Sequence, residues 1–222
     1  AMLTFVLVGG GPTGVEMAQE GEQVLAVGRG GLAVVDLQSL GVSCGGIGAA
    51  RSLALTPDGK RAVATRPATG DVVTVDLAHG SGTFGQVLAR TVLDEGASPE
   101  GVAISPDGRR AYVADPGLAL IHELDIDPAS VTHGSVIAAF ADSGDAPSGN
   151  LAVSADGRSL FFGTSGAGVR GWRLPDGVPA SPTAVRGLGG LAVAPGGEEV
   201  LVGRAGATGV ELLAIRIVDD ST

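Results

Sequence analysis

The stretch Pro99-Glu-Gly-Val-Ala-Ile-Ser-Pro-Asp-Gly-Arg-Arg-Ala-Tyr-Val-Ala-Asp115 decides how the rest of the chain is read. It holds a short apolar run from Gly101, a Ser-Pro-Asp-Gly turn ending at Gly108, and a second apolar run ending at Asp115. In such a turn Pro presets φ, Asp accepts local backbone hydrogen bonds and Gly takes the positive φ that closes it. A β-hairpin is the expected outcome.

The same octapeptide recurs as Ser52-Leu-Ala-Leu-Thr-Pro-Asp-Gly59 and Asn150-Leu-Ala-Val-Ser-Ala-Asp-Gly157. Weaker copies stand at Gly190-Leu-Ala-Val-Ala-Pro-Gly-Gly197 and Gly14-Val-Glu-Met-Ala-Gln-Glu-Gly21. The closing glycines therefore fall at 21, 59, 108, 157 and 197, in steps of 38, 49, 49 and 40. Each copy is followed by a second apolar run, and after a further turn by a third, as in Asp71-Val-Val-Thr-Val-Asp-Leu77. A fourth is read at Gln86 to Leu93, at Ser135 to Ala141, and around Val42 and Val185.

Four antiparallel strands per unit, repeated at this period, is the pattern of propeller blades. The expected fold is all-β: a single domain over residues 1–222, built as a five-bladed β-propeller of four-stranded antiparallel blades. The blades are expected at about 12–48, 49–97, 98–147, 148–187 and 188–222. The last unit has no fourth strand of its own, and Leu3-Thr-Phe-Val-Leu-Val8 within residues 3–9 is an orphan strand. That N-terminal strand is expected to complete the last blade, because closure removes the exposed sheet edge an open array would present.

"PEGVAISPDGRRAYVAD" (99–115), with third strands of the type "GDVVTVDL" (70–77), resembles the YVTN and lactonase-like β-propeller superfamily. The resemblance covers nearly the whole chain and implies the fold, while its motifs are shared by enzymes, sensors and surface proteins. Metal enzymes of that group hold a divalent cation, calcium or magnesium, in the central channel on Glu, Asn and Asp side chains. By that resemblance Glu16, Glu100, Asp115 and Asn150 would be the oxygen set. This chain departs from the group where a Pro-Asn-Gly is common and it has Pro99-Glu100-Gly101, and Arg66 and Arg204 would repel a cation.

Near the N-terminus, Leu3 to Glu16 is similar to the dinucleotide-binding fingerprint of FAD-dependent NADH dehydrogenases, through Gly9-Gly-Gly-Pro-Thr-Gly14. That site needs a strand, a Gly turn and a helix whose N-terminus faces the pyrophosphate. Here Gly21 interrupts any helix after six residues, and 12–21 aligns position for position with 99–108. The glycines are read as blade architecture.

Composition narrows the function classes. With 44% apolar residues and 17% charged, the chain has ample material for a core despite 38 glycines. A net charge of −10 leaves no basic stripe for a phosphate backbone, so no nucleic-acid partner is expected. Leu3 to Val8 is too short to span a membrane. The single cysteine, Cys44, does not select a redox compartment, so cytoplasmic and periplasmic or secreted locations stay open.

In a four-stranded blade, the approach to strand one and the turn from strand two to strand three share one end of the ring. Positions there that vary between copies are the candidates for function. Before strand one stand Arg51 and Glu100, with Asn150 in the fourth copy; strand two closes on Arg66, Asp115 and Arg204. Within strand one, Glu16 replaces an alanine found in the other four copies. These seven residues are the candidate ligand-binding set. His79, His122 and His133 are scattered over loops and a third strand, so neither a metal cluster nor a catalytic triad is expected. The expected function is a non-enzymatic binding or scaffold propeller that presents a mixed-charge rim to a protein or a small polar ligand. The alternative is a lactonase-like metal-dependent hydrolase.

Overall fold

The turns fold as their residues dictate. Gly59, Gly108 and Gly157 take φ of 66°, 71° and 72°, and each N–H donates to the carbonyl three residues back, over 2.8, 2.8 and 2.9 Å. The hydroxyl that opens each turn donates to the turn's own aspartate: Thr56 to Asp58 at 2.6 Å, Ser105 to Asp107 and Ser154 to Asp156 at 2.5 Å. Three hairpins are closed by one device.

The computed structural model describes residues 14–17, 23–36, 42–141, 146–165, 168–174, 178–183, 188–194, 199–206 and 209–216. These form five antiparallel sheets. The first holds β1 (Gly14–Met17), β2 (Gln23–Gly28), β3 (Gly31–Asp36) and β4 (Val42–Gly45). The second holds β5 (Ser52–Leu55), β6 (Arg61–Arg66), β7 (Asp71–Asp76) and β8 (Val87–Val92), with a 3-10 turn at Pro67–Thr69 between its middle strands. The third holds β9 (Gly101–Ile104), β10 (Arg110–Asp115), β11 (Leu120–Asp125) and β12 (Val136–Ala141). The fourth holds β13 (Pro147–Val153), β14 (Ser159–Thr164), β15 (Gly168–Arg173) and β16 (Val178–Thr183). The fifth has three strands, β17 (Leu188–Val193), β18 (Glu199–Gly206) and β19 (Gly209–Arg216). Leu3 to Val8, read as the strand that completes the last blade, lies outside the described residues.

Two readings are refined. The fourth strand of the fourth sheet is Val178–Thr183, and Val185, around which it was expected, lies outside the described residues. Pro179 and Pro182 mask it in the sequence, yet an edge strand has a free side on which a missing N–H is tolerated. Gly14–Met17 is a strand paired with β2, Gly14 opposite Val27, where a dinucleotide fingerprint needs the first turn of a helix.

Within each sheet the strands lie in sequence order, and first strands neighbour one another: β1 beside β5, β5 beside β9, β9 beside β13 and β13 beside β17. Period-two alternation sends side chains of one strand into two different cores. From β6, Ala62 and Ala64 pack with Leu25, Val27, Leu32 and Val34 of the first sheet, while Val63 packs with Val102, Ala111 and Val113 of the third. From β10, Ala111 and Val113 face the second sheet, and Tyr112 joins Leu160, Phe162 and Trp172 of the fourth. Phe162 and Trp172 stand 4.6 Å apart between ring centroids. Burying each such apolar side chain stabilises by about 1.5–3 kcal/mol. Face-to-face stacking of sheets in chain order aligns the leading ends of the first strands.

Candidate functional site

The strand register puts the candidate residues at one end. In the second sheet Ser52 is opposite Thr65, Arg66 opposite Asp71, and Asp71 opposite Val92. In the third, Gly101 is opposite Ala114 and Asp115 opposite Leu120. Arg51, Arg66, Glu100 and Asp115 therefore share this end, and Asn150 lies in β13 close to it. The backbone of Arg204 pairs with Leu188 and Glu211 in the fifth sheet, and that of Glu16 pairs with Leu25 in the first. Their side chains are outside the described set.

Arg66 is engaged within its own sheet. Its Nε donates to Asp71 Oδ1 at 2.7 Å, a second guanidinium nitrogen pairs with Oδ2, and a third donates to the carbonyl of Ile47. Arg90 and the Thr69 hydroxyl also donate to Asp71, the latter at 2.6 Å. Burial alone would raise the Asp71 carboxyl, but bonds from Arg66, Thr69 and Arg90 outweigh it and hold the group below the usual carboxylate range. A bidentate guanidinium–carboxylate pair of this kind fixes the turn between strands two and three.

Asp115 is fully buried and equally engaged. Its Oδ1 accepts from the backbone N–H of Ser98 at 2.8 Å and of Leu118 at 3.2 Å, and its Oδ2 lies 3.0 Å from His122 Nε2. His122 is itself 2% exposed. The pair ties the approach to β9 and the turn into β11 to strand β10. Asp115 thus holds up the rim from beneath. Both of its carboxylate oxygens are engaged within the third sheet. Among the described residues no group of three or more His, Cys, Asp or Glu is placed to hold a metal ion.

Arg51, Glu100 and Asn150 behave differently. Backbone bonds set the first two in place: Arg51 N–H to Thr65 O at 2.8 Å and Glu100 N–H to Ala114 O at 2.9 Å. The buried Thr65 hydroxyl accepts from Ser52 N–H at 3.2 Å and donates to the Glu100 carbonyl at 2.8 Å, clamping the leading ends of β5 and β9 together. On the other side, Gly101 lies against Gly149, and the Glu100 carboxylate lies 3.5 Å from where a Cβ on Gly149 would be. Among the described residues, the side chains of Arg51, Glu100 and Asn150 make no hydrogen bond or ion pair. Arg51 is exposed; Glu100 and Asn150 are half-buried.

At the opposite end two loops share a device that the turn-based reading missed. Asp76 Oδ1 accepts from Ala78 N–H at 2.9 Å, and its Oδ2 from the hydroxyls of Ser81 and Thr83 at 2.5 Å. Asp125 repeats this with Asp127 N–H at 3.0 Å and Ser130 and Thr132 at 2.5 Å. Burial opposes ionisation of Asp125, but these bonds, with the Arg110 charge behind them, bring the carboxyl down to about 2. Ser and Thr at the same offsets after each Asp, with Gly85 and Gly134 nine residues on, were the signal available in the sequence. Arg61 reaches across at this end to the carbonyls of Ile126 and Gly108, joining the second sheet to the third.

No family model and no curated protein matches the chain. Among solved structures it is similar to hydrazine synthase from Kuenenia stuttgartiensis, with a TM-score of 0.71 and 19% identity over 95% of this chain and 67% of that one. In all, 1396 chains of known structure resemble it, so the likeness speaks to architecture and not to activity. The fold is β-propeller-like and all-β. No helix among the described residues is long and apolar enough to cross a membrane.

Proposed function

We propose that this chain is a non-enzymatic binding module: a closed five-bladed ring of the YVTN and lactonase-like kind that takes a ligand where the leading ends of its first strands converge. In this reading Leu3 to Val8 pairs with β19, which has no fourth strand beside it among the described residues. The observation that carries the proposal is a contrast in how charge is treated at one rim. Arg66, Arg90, Asp71 and Asp115 are tied into the fold, whereas Arg51 and Glu100 are set in place by backbone bonds, and they and Asn150 have side chains without a partner among the described residues. Holding a half-buried polar group without a partner costs free energy that a bound partner offsets.

The metal-dependent hydrolase has less support, because Asp115 would have to surrender two backbone bonds and His122 to serve it. Thermal shifts over a panel of small polar ligands test the binding module. Ligands that stabilise the wild type but not the triple variant Arg51→Ala, Glu100→Gln, Asn150→Ala support the site. Ligands that stabilise both proteins equally, or none that stabilises either, overturn it.

A further inference from the structure

We infer that the ligand of this rim is a small zwitterion of the α-amino-acid class, whose carboxylate meets Arg51 and whose ammonium meets Glu100. The inference rests on the binding reading above and adds the chemistry of the occupant. Arg51 and Glu100 carry opposite charges immediately before neighbouring strands, and Thr65 ties them together through one bond to each backbone, yet they do not pair with each other. A ligand bearing both charges neutralises both residues at once. An anion alone would leave Glu100 facing it, and a cation alone would leave Arg51 to repel it. Asn150, on the next strand, offers an acceptor and two donors and so suits either end of the ligand.

Two features exclude neighbouring ligand classes. The positive charge of Arg51, linked to the Glu100 backbone through Thr65, disfavours a bare divalent cation. A sugar site usually adds an aromatic platform, and every Phe, Tyr or Trp ring whose packing is described sits in a core or on another ring. The convergence of three strand ends sets a footprint of a few side chains, which suits a small molecule.

Isothermal titration of the 222-residue chain with L-alanine, acetate, ethylammonium and glucose tests the inference. L-alanine is expected to bind at least tenfold more tightly than acetate or ethylammonium. Arg51→Ala and Glu100→Gln should each weaken it by about tenfold or more, the worth of one charge-assisted bond. Both variants should keep the wild-type melting temperature, since neither side chain has a partner to lose among the described residues. Binding of acetate, ethylammonium or glucose as tightly as alanine, with the same dependence on the rim residues, overturns the zwitterion and leaves the binding module standing. Heat from none of the four overturns the zwitterion, and the broader panel above then decides the module separately.

Discussion

Gly101 and Gly149 meet backbone to backbone: a Cβ placed on Gly101 would lie 1.9 Å from the carbonyl oxygen of Gly149. The contact is one-sided, because a Cβ on Gly149 would find its nearest atoms, on Glu100, at 3.5 Å. Glycine at 101 is therefore what lets β9 and β13 lie close enough to bring Glu100 and Asn150 to one rim. Gly101→Ala is expected to destabilise by about 3 kcal/mol or more, since backbone and not a flexible side chain must move. Gly149→Ala should cost about 1 kcal/mol or less. Urea denaturation of the two variants checks the asymmetry, and equal losses would contradict this packing.

Thr65 holds the other flank. Thr65→Val preserves shape but leaves the Ser52 N–H and the Glu100 carbonyl each short of a bond, for a loss of about 1–3 kcal/mol. Because the clamp positions Glu100, the same variant should also weaken ligand binding, whereas a purely structural role would lower the denaturation midpoint alone.

The Arg66, Asp71 and Arg90 cluster separates a buried pair from an exposed one. Asp71→Ala strands the mostly buried Arg66 and is expected to cost about 3 kcal/mol. Arg90, with its side chain 54% exposed, should cost about 1 kcal/mol or less on truncation to alanine. Chemical denaturation at neutral pH reads both.

Acid should unfold the chain through its loop aspartates. Asp71, Asp76 and Asp125 all lie below the ordinary carboxylate range when folded, Asp125 at about 2. Their folded values are depressed, so their contribution is complete above the unfolded value of about 4 and is lost as pH falls toward 2. Glu123 has the opposite sign. Burial raises its carboxyl, against the attraction of Arg110, so ionising it costs stability as pH rises past the ordinary Glu range. Stability measured from pH 6 to 2 should therefore fall in the wild type and fall less steeply in Asp125→Asn. At pH 7, Glu123→Gln should be neutral or stabilising.

The all-β antiparallel architecture is legible in the sequence because its turns are local. Thr56-Pro-Asp-Gly59 and its copies carry the φ preferences and the hydroxyl-to-aspartate bond within four residues, and the spacing between copies supplies the repeat. The strand Val178–Thr183 is hard to read in the sequence because its prolines argue against any strand until its edge position is known. Sequence gives the candidate residues a position but not a state. Arg66 and Asp115 share one end of their sheets, yet their partners Asp71 and His122 lie across a hairpin, and the strand pairing sets Asp71 opposite Arg66 and brings His122 within reach of Asp115. Arg51 and Glu100 are distinguished by having no such partner among the described residues, which no single stretch of sequence displays. Thr65, whose hydroxyl joins two sheets, was not read at all, because it looks like any β-branched strand residue.

The most direct test of a binding site at the leading ends of the first strands is amide chemical-shift mapping of the isotopically labelled chain during titration with L-alanine. The largest changes should fall on Arg51, Ser52, Glu100, Gly101, Gly149 and Asn150, with the loops at 77–86 and 126–135 unmoved. Changes concentrated on those loops, or on the outer strands β8 and β12, would place binding elsewhere and contradict the account.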